Sequence, residues 1–226
     1  MRPVLVLRPE PGNAATCIAA RERGLAPRAV PLFAFAPLNW TVPAGVTWHG
    51  LLIGSAAVMA HGGPDLGNLR AVPVHAVGPT TARAAQAAGF RVAATGSGGL
   101  QTLVSALPPG RYLRLAGKAR VALVSPPGVT IDDVVVYAAR PQPLDPATVA
   151  LLRQHRVVAL LHSGEAARHF ADQCTAHRLP RGQIALACLA PRIAQAAGAD
   201  WQAVASAQRP DDDAVLSLAL QMCQTL

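Results

Sequence analysis

The stretch His75–Gly96, HAVGPTTARAAQAAGFRVAATG, limits the possible folds more than any other in the chain. VHAV is a short apolar run stopped by Gly78-Pro79, which predicts a buried strand ending at a turn. The alanine-rich ARAAQAA that follows favours helix, and Gly89 fits its C-terminal cap. FRVAAT reads as a second strand. Strand, hydroxyl-bearing turn, helix and strand make a βαβ unit, the building block of a parallel sheet. Such a unit leaves unpaired N–H groups at the helix start, beside Thr80 and Thr81, where an anion can bind. The alternative is that the two threonines only cap the helix.

The rest of the chain alternates the same signals. PVLVLR (3–8) predicts a strand, and Asn13–Gly24 a helix with Asn13 near its cap, Ile18 inward and Arg21–Arg23 outward. AVPLFAFAPL (29–38), broken by Pro31 and Pro37, reads as an edge strand or linker. GLLIGSAAVMAH runs from strand to helix with Ser55 at the junction. SGGLQTLVSALP is a glycine-rich entry into a short helix, with neither GxGxxG nor a Walker lysine. RYLRLAG is a strand, and so is the β-branched VTIDDVVVY, which ends at Tyr137. ARVALVSPPG (119–128), between them, fits either a strand or a helical turn.

Beyond Leu144 come a helix (LDPATVALLRQH) and two strand–turn–helix units. VVALLHSGEAARHFADQC has Ser163 at its turn, and QIALACLAPRIAQAAG has Pro191 after its strand. WQAVASAQRP is a last strand, and Asp211–Asp213 suit the start of the final helix. Two internal echoes matter here. LLIGSAAV (51–58) resembles ALLHSGEAA (159–167), and HAVGPTTARAAQAAG (75–89) resembles ALACLAPRIAQAAG (185–198). The expected fold is therefore α/β, with two similar domains, each a mostly parallel sheet of about five strands flanked by helices. PVLVL, VPLFAF, ALLHS, IALACL and WQAVASA are assigned to one sheet; LLIGS, HAVG, FRVAAT, YLRLAG and VVVYAA to the other.

Composition narrows the function classes. Half of the chain is apolar (51%), enough to bury a core, and no apolar run approaches the ~20 residues of a membrane span. MRPVLVLRPEPG is too short and too soon broken by Pro9, Glu10 and Pro11 for a signal peptide, so a cytoplasmic location is expected. Cys17, Cys174, Cys188 and Cys223 are scattered and read as buried thiols, and the histidines as surface or capping residues, so no metal site is expected. The net charge of +8 rests almost entirely on arginine, whose fork of donors matches carboxylates and phosphates. The arginines are dispersed and aromatics make up only 4%, which argues against nucleic acid and for a small polyanion.

Taken in order, VLVLRPEPG, LLIGSAAV, AVGPTTARAAQAAGFRVAATG, LRLAGKAR, VVVYAARP, ALLHSGEAA and RPDDDAVLSLAL resemble the uroporphyrinogen-III synthase family over nearly the whole chain. The resemblance implies that the chain leaves the first domain, builds the second and returns. Residues 1–34 and 142–226 would form one domain, 37–140 the other, with linkers at 35–36 and 141. It also implies a cofactor-free reaction; a monomer is expected, and the composition above points away from nucleic-acid and membrane partners. A linear hydroxymethyl tetrapyrrole loses water and closes, its last pyrrole ring inverted through a spiro intermediate, in a basic cleft suited to the substrate's many carboxylates. On the resemblance, Tyr137 would be the general acid for loss of the hydroxyl. Ser55, Thr80, Thr81 and Ser163, at strand-to-helix junctions, would bind substrate together with Arg8 and Lys118. The turns Ser55-Ala56-Ala57, Ser163-Gly164-Glu165 and Ala190-Pro191-Arg192 depart from the family pattern. A non-catalytic two-lobed binding protein for a small polycarboxylate is the alternative.

Overall fold

A computed structural model describes residues 2–225. In chain order the elements begin with β1 (Pro3–Val6), α1 (Gly12–Glu22), β2 (Ala26–Ala29), β3 (Phe33–Pro37), β4 (Gly50–Ile53), α2 (Ala57–His61), β5 (Val74–Val77) and α3 (Gly78–Ala87). They continue with β6 (Val92–Gly96), α4 (Leu100–Ser105), β7 (Gly110–Gly117), β8 (Val129–Pro141), α5 (Pro146–Gln154) and β9 (Val157–Leu161). The series closes with α6 (Gly164–Ala176), β10 (Ile184–Cys188), α7 (Pro191–Ala197), β11 (Ala203–Ser206) and α8 (Asp212–Thr225). Two compact α/β units result: unit 1, Met1–Ala34 with Arg140–Leu226, and unit 2, Phe35–Ala139.

Unit 1 holds a five-stranded sheet in the order β11-β10-β9-β1-β2, parallel throughout. Successive residues of a strand face opposite sides of its sheet, so a strand covered on both faces must be apolar at every position. VVALL of β9 and IALAC of β10 meet that demand, with all ten residues buried. Leu5, Ala159, Leu161 and Leu186 face one side with Leu152, Phe170 and Ile193. Val4, Val6, Val158 and Leu160 face the other with Cys17, Ala20, Leu216 and Met222.

Unit 2 has a six-stranded sheet, β3-β8-β7-β4-β5-β6. The pairs β8-β7, β7-β4, β4-β5 and β5-β6 are parallel. One face packs Leu51, Ile53, Ala76 and Leu115 on Val58, Ala82 and Ala85. The opposite face packs Leu52 and Tyr112 on Leu103 and Val104 of α4. The βαβ unit at 75–96 is present, and α3 ends as its glycine predicts. Gly89 has φ +85°, its N–H donates to the Gln86 carbonyl, and the Phe90 N–H donates to that of Ala85.

Several expectations change. The fifth strand of the unit 1 sheet is APRA (26–29), while FAFAP (33–37) is an edge strand of unit 2. APRA ends where the apolar, proline-bearing run 29–38 begins, and only the second half of that run pairs as a strand. Residues 119–128 form neither strand nor helix. Asn13 lies near the start of α1 as expected, but its side chain serves the strand: buried in the first turn, its amide donates to the carbonyls of Val6 (2.7 Å) and Arg8 (2.8 Å), holding the end of β1. Ile18 is 56% exposed, because α1 buries the stripe Asn13, Thr16, Cys17 and Ala20 instead. The thiols of Cys17, Cys174 and Cys188 are buried, and burial pushes Cys174 and Cys188 up to about 12.

Candidate active site

In an open α/β sheet, ligands favour the crevice where neighbouring strands send their connections to opposite sides, at the strands' carboxyl ends. Unit 2 has that point between β4, which leads on to β5 and β6, and β7, which leads to β8. A cavity of about 360 Å³ opens there, at the lower end of the ~300–1,000 Å³ typical of ligand sites. Ser55, which follows β4, shares its wall with Leu100 and Gln101 of α4, Arg114 of β7, Arg120 and Tyr137.

Tyr137 is held from three sides. Its strand is rich in β-branched residues, which stiffen an extended backbone. A register shift after Ala116 sets Gly117 opposite Tyr137, and the Lys118 N–H donates to the Tyr137 carbonyl at 2.9 Å. Phe35 meets the ring edge-on at 5.2 Å between centroids, and His61 lies 6.1 Å away. A β-carbon on Gly117 would stand 2.7 Å from Tyr137 Cζ and 2.9 Å from its hydroxyl oxygen, so the missing side chain is what lets the phenol lie there. Among the described residues, no hydrogen bond ties that hydroxyl to the protein.

Arg114 was not among the predicted site residues. It occupies the middle of a central strand between buried Leu113 and Leu115, and its side chain is only 6% exposed. Its Nε is buried without a hydrogen-bond partner, and Nη1 lies 3.5 Å from Asp133 Oδ2. That carboxylate already accepts from Arg120 Nε at 3.1 Å. Gln101 ties the 118–128 loop to α4: its amide NH₂ donates to the Val124 carbonyl and its amide oxygen accepts from the Val124 N–H, both at 2.9 Å.

Unit 1 has the matching crevice between β1 and β9, and it is filled from within. Arg8 Nη1 donates to both carboxylate oxygens of Asp212, at 2.8 and 2.7 Å, and the Thr16 hydroxyl donates to Asp212 at 2.8 Å. His162 is a buried member of this cluster, not the surface or capping residue expected. Its side chain is 7% exposed and its Nε2 is 3.2 Å from Asp212 Oδ1, off the angle of a hydrogen bond. Burial first, and the Arg8 guanidinium second, hold the imidazole below its ordinary 6.5, against the opposing pull of Asp212. An unfolded chain takes up that proton near pH 6.5 and the folded chain does not. Stability from this site is thus complete above pH 6.5 and declines as pH falls toward the lowered folded value. The melting temperature should fall less between about pH 7.5 and 5.5 in His162→Gln than in the parent; parallel curves would show that His162 does not contribute.

The remaining predicted residues are dispersed. Ser55 and Tyr137 line the same cavity, and Lys118 is an exposed residue between two that line it, Gly117 and Ala119. Thr80 is exposed and Thr81 buried in the first turn of α3, and neither caps the helix, which begins at Gly78-Pro79 after Val77 and has no side-chain cap. Ser163 does cap α6, its Oγ accepting from the Ala166 N–H at 3.1 Å, and lies in unit 1 with Arg8. Among the described residues, no cluster of His, Cys, Asp and Glu has the layout of a metal site, and no helix is long and apolar enough to cross a membrane.

A family model described as uroporphyrinogen-III synthase HemD matches residues 15–217. The uroporphyrinogen-III synthetase of Helicobacter pylori 26695 superposes with a TM-score of 0.67 at 17% identity, covering 98% of this chain and 100% of that one. That likeness is one of fold. A mutant uroporphyrinogen III synthase of Thermus thermophilus aligns with a TM-score of 0.45 at 19% identity, over 99% of this chain and 98% of that one. The wild-type form of that protein gives 0.40 at 17% identity over the full length of both. No curated protein matches the chain.

Proposed function

The chain belongs to the uroporphyrinogen-III synthase family, and from that premise we propose that it converts linear hydroxymethylbilane to uroporphyrinogen III. The observation that carries this reading is the family match, which runs through both units. The cavity at the unit 2 crevice supports it, because it brings a hydrogen-bonding phenol, a serine hydroxyl and two guanidinium groups to one place. In the proposed mechanism Tyr137 gives its proton to the terminal hydroxyl as the carbon–oxygen bond breaks, and water departs. The electrophilic carbon left behind bonds to the already substituted α-carbon of the terminal pyrrole, giving the spiro intermediate. The bond from that α-carbon to the neighbouring bridging methylene then breaks and re-forms at the ring's free α-carbon, which leaves the ring inverted. The proton lost from that pyrrole when the macrocycle closes balances the one Tyr137 gave. Ser55, Thr80, Thr81, Lys118 and Ser163 are proposed as substrate contacts, each worth no more than one hydrogen bond or surface ion pair; Arg8, expected beside them from the resemblance, is already paired with Asp212.

The test is the isomer formed. The linear substrate closes unaided to the uninverted macrocycle, so incubation with the chain should yield the inverted isomer faster than that background reaction. Only the uninverted product, at the background rate, would overturn the proposal and leave a two-lobed polycarboxylate-binding protein as the alternative.

A further inference from the structure

We propose that Arg114 is the residue of unit 2 that recognises a substrate carboxylate; this rests on the reading above. A guanidinium sunk into a central strand has lost most of its hydration, and a buried charge persists cheaply only when it is paired and hydrogen-bonded. Arg114 is short of both. Its Nε has no partner, and the nearest carboxylate, Asp133, is 3.5 Å away and shared with Arg120. Two guanidinium groups thus face one carboxylate at the wall of a cavity, leaving one positive charge in excess.

The sister unit sharpens the point. Strand pairing sets Arg114 beside Leu52, three residues before Ser55; in unit 1 the residue beside Leu160, three before Ser163, is Val6. The arginine of the unit 1 crevice, Arg8, is satisfied by Asp212 at the start of α8. The corresponding helix of unit 2, α4, is entered through Gly98-Gly99 and brings no acid. One crevice is neutralised by its own chain, and the other is left for an anion from outside. A carboxylate suits the guanidinium fork. Leu100, Leu115, Val121 and Leu123 supply apolar wall for the pyrrole ring that carries it. Water does not reach Nε, so full engagement requires the Arg120–Leu123 wall to give way, and Gln101 is the side chain that ties this wall to α4.

The test uses the full chain and the stable, oxidised octacarboxylate uroporphyrin as probe, with binding followed by fluorescence and stability by melting. Arg114→Gln should bind the probe about tenfold or more weakly, the scale of one charge-assisted hydrogen bond. Its melting temperature should stay level or rise, since an underpaired buried charge is gone. Affinity of the parent should also fall more steeply with salt than that of the variant. Arg114→Lys, which keeps the charge and loses the fork, should bind with intermediate affinity and serves as the measure if the glutamine variant does not fold. Parent-like binding by either folded variant would overturn the proposal, as would a lower melting temperature with binding unchanged, which would make Arg114 a structural partner of Asp133. A parent that binds uroporphyrin yet forms no inverted isomer would defeat the synthase reading and leave this one standing.

Discussion

Tyr137→Phe is expected to slow formation of the inverted macrocycle by at least an order of magnitude while leaving the melting temperature unchanged. The substitution removes one oxygen, and that oxygen has no partner among the described residues to lose. The ring keeps its edge contact with Phe35 and its place beside His61. Stability therefore has little reason to move, and any loss of rate reports on chemistry. General acid catalysis contributes ~10²–10⁴ in rate, which sets the scale. Loss should stop short of the background reaction, because holding the flexible chain in its inverting conformation is a separate contribution. Rate and isomer ratio, measured against the parent, decide the matter. If neither moves, Tyr137 is a packing residue and the proton comes from elsewhere.

Gly117→Ala should be nearly as damaging, through position instead of chemistry. The new methyl would start 2.7 Å from Tyr137 Cζ, closer than carbon atoms approach. What yields is the outer end of the phenol, which is packed against Phe35, so the hydroxyl moves off its line at an overpacking cost of about 1–3 kcal/mol. Misplacement by about an ångström can cost on the order of 10² in rate. The two changes act on one group, so their effects should not add. With Phe at 137 there is no hydroxyl left to displace, and the double variant should be about as slow as Tyr137→Phe alone. Full additivity would mean that Gly117 serves something other than the tyrosine, and a wild-type rate in Gly117→Ala would remove the positioning argument.

What the sequence disclosed was set by the length of chain over which each force acts. The 75–96 unit was legible because its strand, helix start and Schellman-type end are each written within a few neighbouring residues. The two internal echoes were legible for the same reason, being local patterns that recur. β2 was missed because APRA has neither apolar alternation nor β-branching; it is a strand only because β1 runs beside it. FAFAP reads as a strand from its own residues, but nothing local tells which sheet it joins, since its edge is made by β8 nearly a hundred residues later. Tyr137 and Ser55 were found through a family resemblance, yet Arg114 was not. A signal for it existed in RYLRLAG, where an arginine stands between leucines in what must be a central strand. The burial of His162 is not legible locally, because it depends on Arg8 and Asp212, which arrive from opposite ends of the chain.

The discontinuity of unit 1 sets an order in time. Unit 2 is one unbroken run, Phe35–Ala139, whose strands find partners within it as synthesis proceeds. β1 and β2 are made before it but must wait for β9, since Val4 pairs with Val158 and Val6 with Leu160. Until then β1 and β2 can pair only with each other, and the fully apolar PVLV lacks the neighbour that covers its other edge. Long-range parallel pairing of this kind is slow and exposed to aggregation. Nascent chains should thus carry a finished unit 2 behind an unfinished, adhesive β1–β2 segment, with the vulnerable interval lasting until the ribosome has delivered Val157–Leu161.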